Sequence, residues 1–164
     1  MFIVRATKKL LDRIGPVHPS EAEPGPNQLG EWYATPIFWR PQVALFVNER
    51  TLLPVLMPLA PAATLLERFP HRLATVLAAQ EIPEPVIDGE LEQMREHHLS
   101  KTASRSVVGV MNEFVHLANV FRAGVLDPDL QDLSLRLATT PCGPLYARHV
   151  RPDRELQALL RPEP

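Results

Sequence analysis

A strip of polar residues in the segment 104–116 offers the side chains of this chain that are best suited to chemistry. Its members lie three or four residues apart and are Arg105, Gly109, Asn112, Glu113 and His116. That spacing puts them on one face of a helix. The rest of the segment is almost entirely apolar, and a buried polar group without a partner costs about 1 to 3 kcal/mol. The strip therefore predicts one of three arrangements: a polar network that ties the fold together, with another element packed closely on Gly109; the lining of a binding pocket; or a face in contact with water.

Two kinds of reaction chemistry would suit these residues. Glu113 or His116 could act as a general base while Arg105 stabilises an anion, as in a small hydrolase or a nucleic-acid-processing enzyme. Glu113 and His116 also form a Glu-x-x-His pair, which binds metals on bundle helices when a second such pair faces it. The sequence has no second pair. We therefore predict no metal site and no cofactor.

The first functional hypothesis is a non-enzymatic binding or regulatory protein, because the sequence assembles no complete catalytic set. Such a protein would contact a protein or a small ligand through Arg105, Asn112 and the turn that carries Asn48 and Arg50. The enzyme described above is the alternative. We predict that Asn112 caps a loop or pairs with Arg105, so that replacing it by alanine should lower stability by about 1 to 3 kcal/mol.

The single cysteine, Cys142, lies in a Pro-Cys-Gly-Pro turn, where no neighbouring residue would activate its thiol. We interpret it as a buried structural cysteine. The chain lacks the Gly-x-Ser-x-Gly elbow, the Walker loop and the Gly-x-Gly-x-x-Gly fingerprint. Their absence excludes the large enzyme classes that depend on those motifs.

The charge balance does not favour nucleic acid as a partner. The 164 residues carry a net charge of −2, and the basic residues near the start are Arg5, Lys8, Lys9 and Arg13. Binding to phosphate backbones normally requires a stronger cluster of Lys and Arg than this. No apolar run approaches the ~20 residues of a membrane helix, and no signal peptide is visible. We therefore expect a cytoplasmic protein without a membrane partner.

Proline is the outlier of the composition, with 18 residues in the chain. Several of them fall in a proline-rich segment, about residues 16–28, which predicts an extended surface loop. This exposed edge, together with Trp32, Tyr33 and Trp39, could cover the surface of another molecule. The sequence thus favours a protein partner or a homodimer.

The hydrophobic pattern predicts an α+β fold in one domain, residues 1–164. Strands are predicted at 2–6, 32–39, 43–48 and 53–57, and helices at 8–14, 62–80, 86–96, 106–122 and 153–160, with one more after Pro128. The N-terminal half would form a small, mostly antiparallel sheet, which helices from the C-terminal half would cover. Val43–Val47 is apolar at every position, so both faces of that strand should be buried. Pro54 places its own strand at an edge.

Several segments form a set that can be compared as a whole, namely Thr7-Lys-Lys-Leu-Leu11, Phe46-Val-Asn-Glu-Arg-Thr-Leu-Leu-Pro-Val55, Arg105-Ser-Val-Val-Gly-Val-Met-Asn-Glu-Phe114 and Pro141-Cys-Gly-Pro144. Over nearly the whole chain they resemble a bacterial family known only as a domain of unknown function. Arg105, Gly109 and Asn112 match the family's most specific block, whereas Val110 replaces a serine and Glu113 an aspartate. The resemblance implies a bacterial cytoplasmic protein and supplies no activity.

Overall fold

A five-stranded sheet with helices on both sides organises residues 1–161, which are the residues that the structure, a computed structural model, describes. The strands are β1 (Phe2–Ala6), β2 (Trp32–Ile37), β3 (Val43–Asn48), β4 (Pro54–Pro58) and β5 (His97–Lys101). The α-helices are α1 (Lys8–Ile14), α2 (Leu65–Ala79), α3 (Glu84–Glu92), α4 (Arg105–Arg122), α5 (Leu130–Leu137) and α6 (Pro152–Leu160). Helices and a sheet together confirm the α+β class.

The sheet is mixed, with the strand order β4-β3-β2-β1-β5. β1 pairs in parallel with β2 and β5, whereas β3 pairs antiparallel with β2 and β4. The prediction of a mostly antiparallel sheet is therefore wrong. Its error lies in β1, which begins the chain and joins β2 through a helix, and in β5, whose sequence His-His-Leu-Ser-Lys has little of the composition that marks a strand. The edge position of Pro54 in β4 is confirmed.

Helices cover both faces of the sheet, and β3 shows why both must be covered. Every residue of Val43–Asn48 is buried, as its unbroken apolar run predicted. Ala44 and Phe46 pack into a core with α1, α2, α3 and α6, while Val43, Leu45 and Val47 pack into a second cluster with α4 and α5. Helices α3 to α6 of the C-terminal half cover the sheet as expected, but α1 and α2, which belong to the N-terminal half, cover it too.

Helix α4 is positioned by its cap and by one apolar stripe. The Ser104 hydroxyl accepts a hydrogen bond from the Val107 N–H at 3.3 Å, which satisfies one of the free donors of the first turn. The Ser104 N–H in turn donates to the Tyr33 hydroxyl of β2 at 2.9 Å. The buried residues of the helix are Val107, Val110, Met111, Phe114 and Ala118, which face the sheet. These contacts fix which side of α4 faces outward.

The aromatic residues suggested for a homodimer lie in the interior. Trp32, Tyr33 and Trp39 are all buried against the two core clusters. That part of the homodimer hypothesis is wrong, since residues that complete the core cannot also cover a partner. The proline-rich loop does run along the sheet edge, where the His18 N–H donates to the Leu99 carbonyl of β5 at 3.0 Å.

Candidate functional site

The polar strip of α4 points into solvent. All five of its members are exposed, namely Arg105, Gly109, Asn112, Glu113 and His116. The predicted buried network is therefore wrong, because water can satisfy these side chains and their polarity carries no desolvation cost. Three further apolar residues made the helix look buried on all sides in the sequence. They are only partly buried and pack at the edges of the core stripe, and they are Val108, Val115 and Leu117.

The same face of α4 borders a cavity of about 320 Å³, which we call the helix–turn groove. Its walls are Ser106, Gly109, Val110, Glu113 and Phe114 of the helix and the turn Thr140–Pro144. Val110, Phe114 and Cys142 are buried and give the groove an apolar floor. Ser106, Glu113 and Thr140 supply hydroxyl and carboxylate groups at its rim. Of the predicted site residues, Glu113 lines this groove.

Two glycines leave the groove open without serving the fold. A Cβ atom added at Gly109 or at Gly143 would meet no atom within 4 Å. Neither glycine has a left-handed backbone, so an alanine would fit both positions. A glycine inside a helix costs roughly 0.5–1 kcal/mol relative to alanine. The close packing of another element on Gly109, which the sequence suggested as one interpretation, is therefore not its role.

The thiol at the floor of the groove is held in its neutral form. Burial raises the pKa of Cys142 to about 11, and the nearby Glu113 carboxylate adds to the rise. The Cys142 Sγ lies 3.4 Å from the Thr140 carbonyl oxygen, to which it can donate. A neutral thiol is a weak nucleophile and a poor metal ligand. These contacts favour the structural interpretation of Cys142 over a catalytic one.

The turn that forms one wall is fixed by bonds to the chain that follows it. The Cys142 N–H donates to the Val150 carbonyl, and the Val150 N–H donates to the Leu145 carbonyl, both at 2.9 Å. Val150 has a φ of 71°, which is strained for a β-branched residue. The buried Glu155 of α6 accepts bonds from the side chains of Arg148 and His149. The wall is thus rigid and supported from α6.

The second predicted part of the site, the turn after β3, has a structural role at its centre. Asn48 is 0% exposed. Its Nδ2 donates to the Leu29 carbonyl at 2.8 Å and to the Glu31 carbonyl at 3.2 Å. Its Oδ1 accepts from the N–H groups of Arg50 and Thr51 and from the Thr51 hydroxyl. Asn48 therefore has no polar atom left for a ligand.

Arg50 is exposed, but its guanidinium also serves the fold. Its Nη1 donates to the Gln28 carbonyl at 2.5 Å. Gly30 lies directly beneath, with a φ of 73°, and a Cβ there would come within 2.5 Å of a Glu49 oxygen and 2.8 Å of the Arg50 Nε. The turn and the end of the proline-rich loop are thus closely fitted. Arg50 is not among the residues that line the helix–turn groove.

The proposed catalytic set does not converge. On α4, Arg105 lies eight residues from Glu113 and eleven from His116, about 12 Å and 16 Å along the axis at 1.5 Å per residue. A base and an anion-stabilising group must both come within hydrogen-bonding reach of the same substrate group. The enzyme alternative built on these residues therefore has no support in the geometry.

The basic residues near the start do not form a continuous cationic surface. The Arg5 Nε lies 2.8 Å from a Glu31 carboxylate oxygen, and its Nη1 donates to the Lys101 carbonyl. Lys8, Lys9 and Arg13 lie on the exposed side of α1. Within residues 1–161, no three His, Cys, Asp or Glu side chains are placed to hold a metal ion. In the same part of the chain, no helix has the length and apolarity to span a membrane.

Fold and site together describe an α+β protein with a mixed sheet, two helical layers and an open groove beside its central helix. The chain belongs to the family described as "Domain of unknown function (DUF6933)", whose model matches residues 3–155. This finding confirms the family resemblance seen in the sequence, and it brings no activity with it. No curated protein and no solved structure matches the chain.

Proposed function

We propose that the protein is a binding or regulatory protein whose ligand occupies the helix–turn groove. The observation that carries this proposal is the pair of glycines, Gly109 and Gly143, that keep the groove open although the fold has no use for either. Gly89 of α3 is equally open, and what distinguishes Gly109 is the groove that it borders, with its apolar floor of Val110, Phe114 and Cys142. The groove joins two segments that lie about thirty residues apart in the chain.

The lining indicates the kind of group that would bind. Val110, Phe114 and the neutral thiol of Cys142 offer an apolar floor, while Glu113 places a carboxylate at the rim. Such a site suits a ring or branched alkyl group that carries an ammonium or another hydrogen-bond donor. A side chain of a partner protein or a free amine would both satisfy this description.

The exposed neighbours of the groove extend the contact. Arg105 adjoins Ser106, and Asn112 adjoins Glu113, on the outer face of α4. A ligand seated in the groove would reach these residues if it is as long as a short peptide. The residues first singled out for binding, Arg105, Asn112 and His116, would then contribute at the rim.

The test is a titration of the protein with three probes, followed by NMR of the backbone amides. The probes share a phenyl ring and differ in charge: phenethylammonium, 2-phenylethanol and 3-phenylpropionate. We expect phenethylammonium to shift the amides of Gly109 and Gly143 at the lowest concentration and 3-phenylpropionate at the highest. Glu113→Gln should remove the preference for the cation while keeping affinity for the ring.

A matched pair of variants separates groove binding from general surface binding. Gly109→Leu should fill the groove and abolish the shifts. Gly89→Leu places the same side chain on α3, where a Cβ also meets nothing within 4 Å, and should leave the shifts unchanged. The proposal fails if none of the probes moves these amides at millimolar concentration, or if both variants behave alike.

A further inference from the structure

A second surface, at the far end of α4, leaves large apolar side chains in water. Phe38 is 58% exposed, Val125 50% and Leu126 101%. They come from the hairpin after β2 and from the loop between α4 and α5. We call this set, together with Arg40 and Arg122, the apolar–basic surface. Contiguous exposed apolar side chains mark interaction sites more often than single ones do.

Two cavities meet at this surface. One holds about 130 Å³ and the other about 630 Å³. Trp39, Arg40, Arg122 and Leu126 line both of them. The Leu126 side chain therefore stands between two hollows, each of which has an arginine in its wall. The two cavities can receive apolar side chains of a partner, and the arginines in their walls can pair with anionic groups that flank those side chains.

Two cations at this surface, Arg122 and Lys9, lie against aromatic rings before any partner arrives. The Arg122 guanidinium lies 4.3 Å from the centre of the Trp39 ring. Trp39 is itself fixed, since its Nε1 donates to the Asn119 Oδ1 at 2.7 Å and the Asn119 Nδ2 donates to the Val115 carbonyl at 3.0 Å. Lys9 lies 5.7 Å from the centre of the Phe38 ring. Preorganised side chains lose less entropy on binding.

The charges of the apolar–basic surface favour one kind of binding partner. Lys9, Arg40 and Arg122 border the surface, and Asp127 is the acidic residue among the cavity walls, so the patch is positive in a chain of net charge −2. A second copy docking through the same patch would bring these cations face to face, because a two-fold interface repeats the same residues. Electrostatic complementarity instead favours an anionic partner.

The covered rings distinguish a protein partner from a nucleic acid. Single-stranded nucleic acids bind through bases that stack on open aromatic faces. Here Arg122 lies over the buried Trp39 ring and Lys9 over one face of the Phe38 ring, and the most exposed side chain of the surface is the aliphatic Leu126. We infer that the apolar–basic surface docks a segment of a partner protein in which apolar side chains alternate with carboxylates.

This inference concerns a different surface from the helix–turn groove. Gly109 and Arg122 are thirteen residues apart on α4, about 20 Å along the helix. Substitutions at Leu126 or Arg40 therefore leave the groove intact. Loss of binding at one surface would not count against the other.

The experiment is a selection of random peptides displayed on phage, with the wild-type protein and the Leu126→Asp variant as separate targets. We expect the wild type to enrich peptides rich in Asp or Glu with interspersed Leu, Phe or Ile, and Leu126→Asp to enrich none of them. Measured by fluorescence anisotropy, the best peptide should bind Leu126→Asp and Arg40→Glu at least about tenfold more weakly, equivalent to about 1.4 kcal/mol.

The controls place the same substitutions on other exposed residues. Tyr146→Asp and Arg154→Glu should bind the peptide like the wild type, since both residues are exposed outside this surface. The inference is overturned if no peptide is enriched, if the enriched peptides are not acidic, or if the control variants weaken binding equally. If a single-stranded oligothymidine binds the wild type but not the Leu126→Asp variant, the surface is assigned to nucleic acid. A dimer in sedimentation that Leu126→Asp dissociates would assign it to a second copy.

Discussion

The imidazole of His18 in the proline-rich loop stacks on that of His98 in β5, with ring centres 4.6 Å apart and planes 26° apart. The His18 Nδ1 also accepts a hydrogen bond from the Leu99 N–H at 2.9 Å. His97 lies close by, with its ring centre 6.5 Å from that of His18. Burial lowers the pKa of His97 and the His18 charge lowers it further, while Glu67 opposes both.

The first prediction is a loss of stability on mild acidification. Because the pKa of His97 is lower in the folded protein, the unfolded chain binds more protons below pH ~6.5. The stabilising contribution of His97 to the free energy of unfolding is fully present above that pH. It is lost as the pH falls through the pKa of His97 in the folded protein. Urea melts should show a lower free energy of unfolding at about pH 5.5 than at about pH 7.5. The His97→Phe substitution should make this difference smaller. The exposed His116, changed to Gln, should leave the pH dependence as it is; an equal effect of both changes would contradict the prediction.

The second prediction compares one substitution at two sites that sequence alone made equivalent. Asn48→Ala should lower the free energy of unfolding by about 3 kcal/mol, because it leaves several buried partners without a bond. Asn112→Ala should change it by no more than about 0.5 kcal/mol, since the side chain is exposed and alanine favours the helix. Denaturant melts of both variants measure the difference. Equal losses would mean that Asn112 has a buried role after all.

A double variant of Arg105 and Asn112 tests whether these two residues interact. The network first expected from the sequence requires Arg105→Ala and Asn112→Ala to be less than additive. With both side chains in solvent and seven residues apart, we expect small changes that add. A coupling above about 0.5 kcal/mol in the double variant would restore the network hypothesis.

The sequence predicted the central helix because its signal is local. The 3.6-residue pattern is enough to define α4, and the apolar run of Val43–Val47 is enough to define a doubly covered strand. The polar strip was also found correctly as one face. Its burial could not be predicted, because the partly buried Val108, Val115 and Leu117 hide the width of the core stripe.

The groove and β5 depend on contacts between distant segments, which a single sequence does not reveal. Thr140 and Gly143 were not predicted as site residues, although a glycine inside a helix and a Pro-Cys-Gly-Pro turn were the available signals. That the two meet follows from the packing of α4 and of the Thr140–Pro144 turn on the same face of the sheet. The strand β5 forms because β1 and His18 offer it partners on both sides.

The third prediction concerns the helix glycines. Gly109→Ala and Gly89→Ala should each raise the free energy of unfolding by roughly 0.5–1 kcal/mol, since both positions are helical and open. Only Gly109→Ala should also weaken phenethylammonium binding, because its methyl group enters the groove. Thermal melts and the NMR titration measure the two effects. A destabilised Gly109→Ala would show that something packs closely on the helix there.

The last prediction concerns the reactivity of Cys142. A pKa of about 11, against an ordinary value of 9.0, leaves about a hundredfold less thiolate at neutral pH, and burial hinders access as well. The native protein should therefore react with iodoacetamide at least about a hundredfold more slowly than the protein unfolded in guanidinium. Glu113→Gln should speed the native reaction, because removing the carboxylate lowers the thiol pKa, whereas Glu92→Gln on α3 should not. A native rate equal to the unfolded rate would show that Cys142 is open to solvent. An acceleration by both variants would show that Glu113 has no specific effect on the thiol.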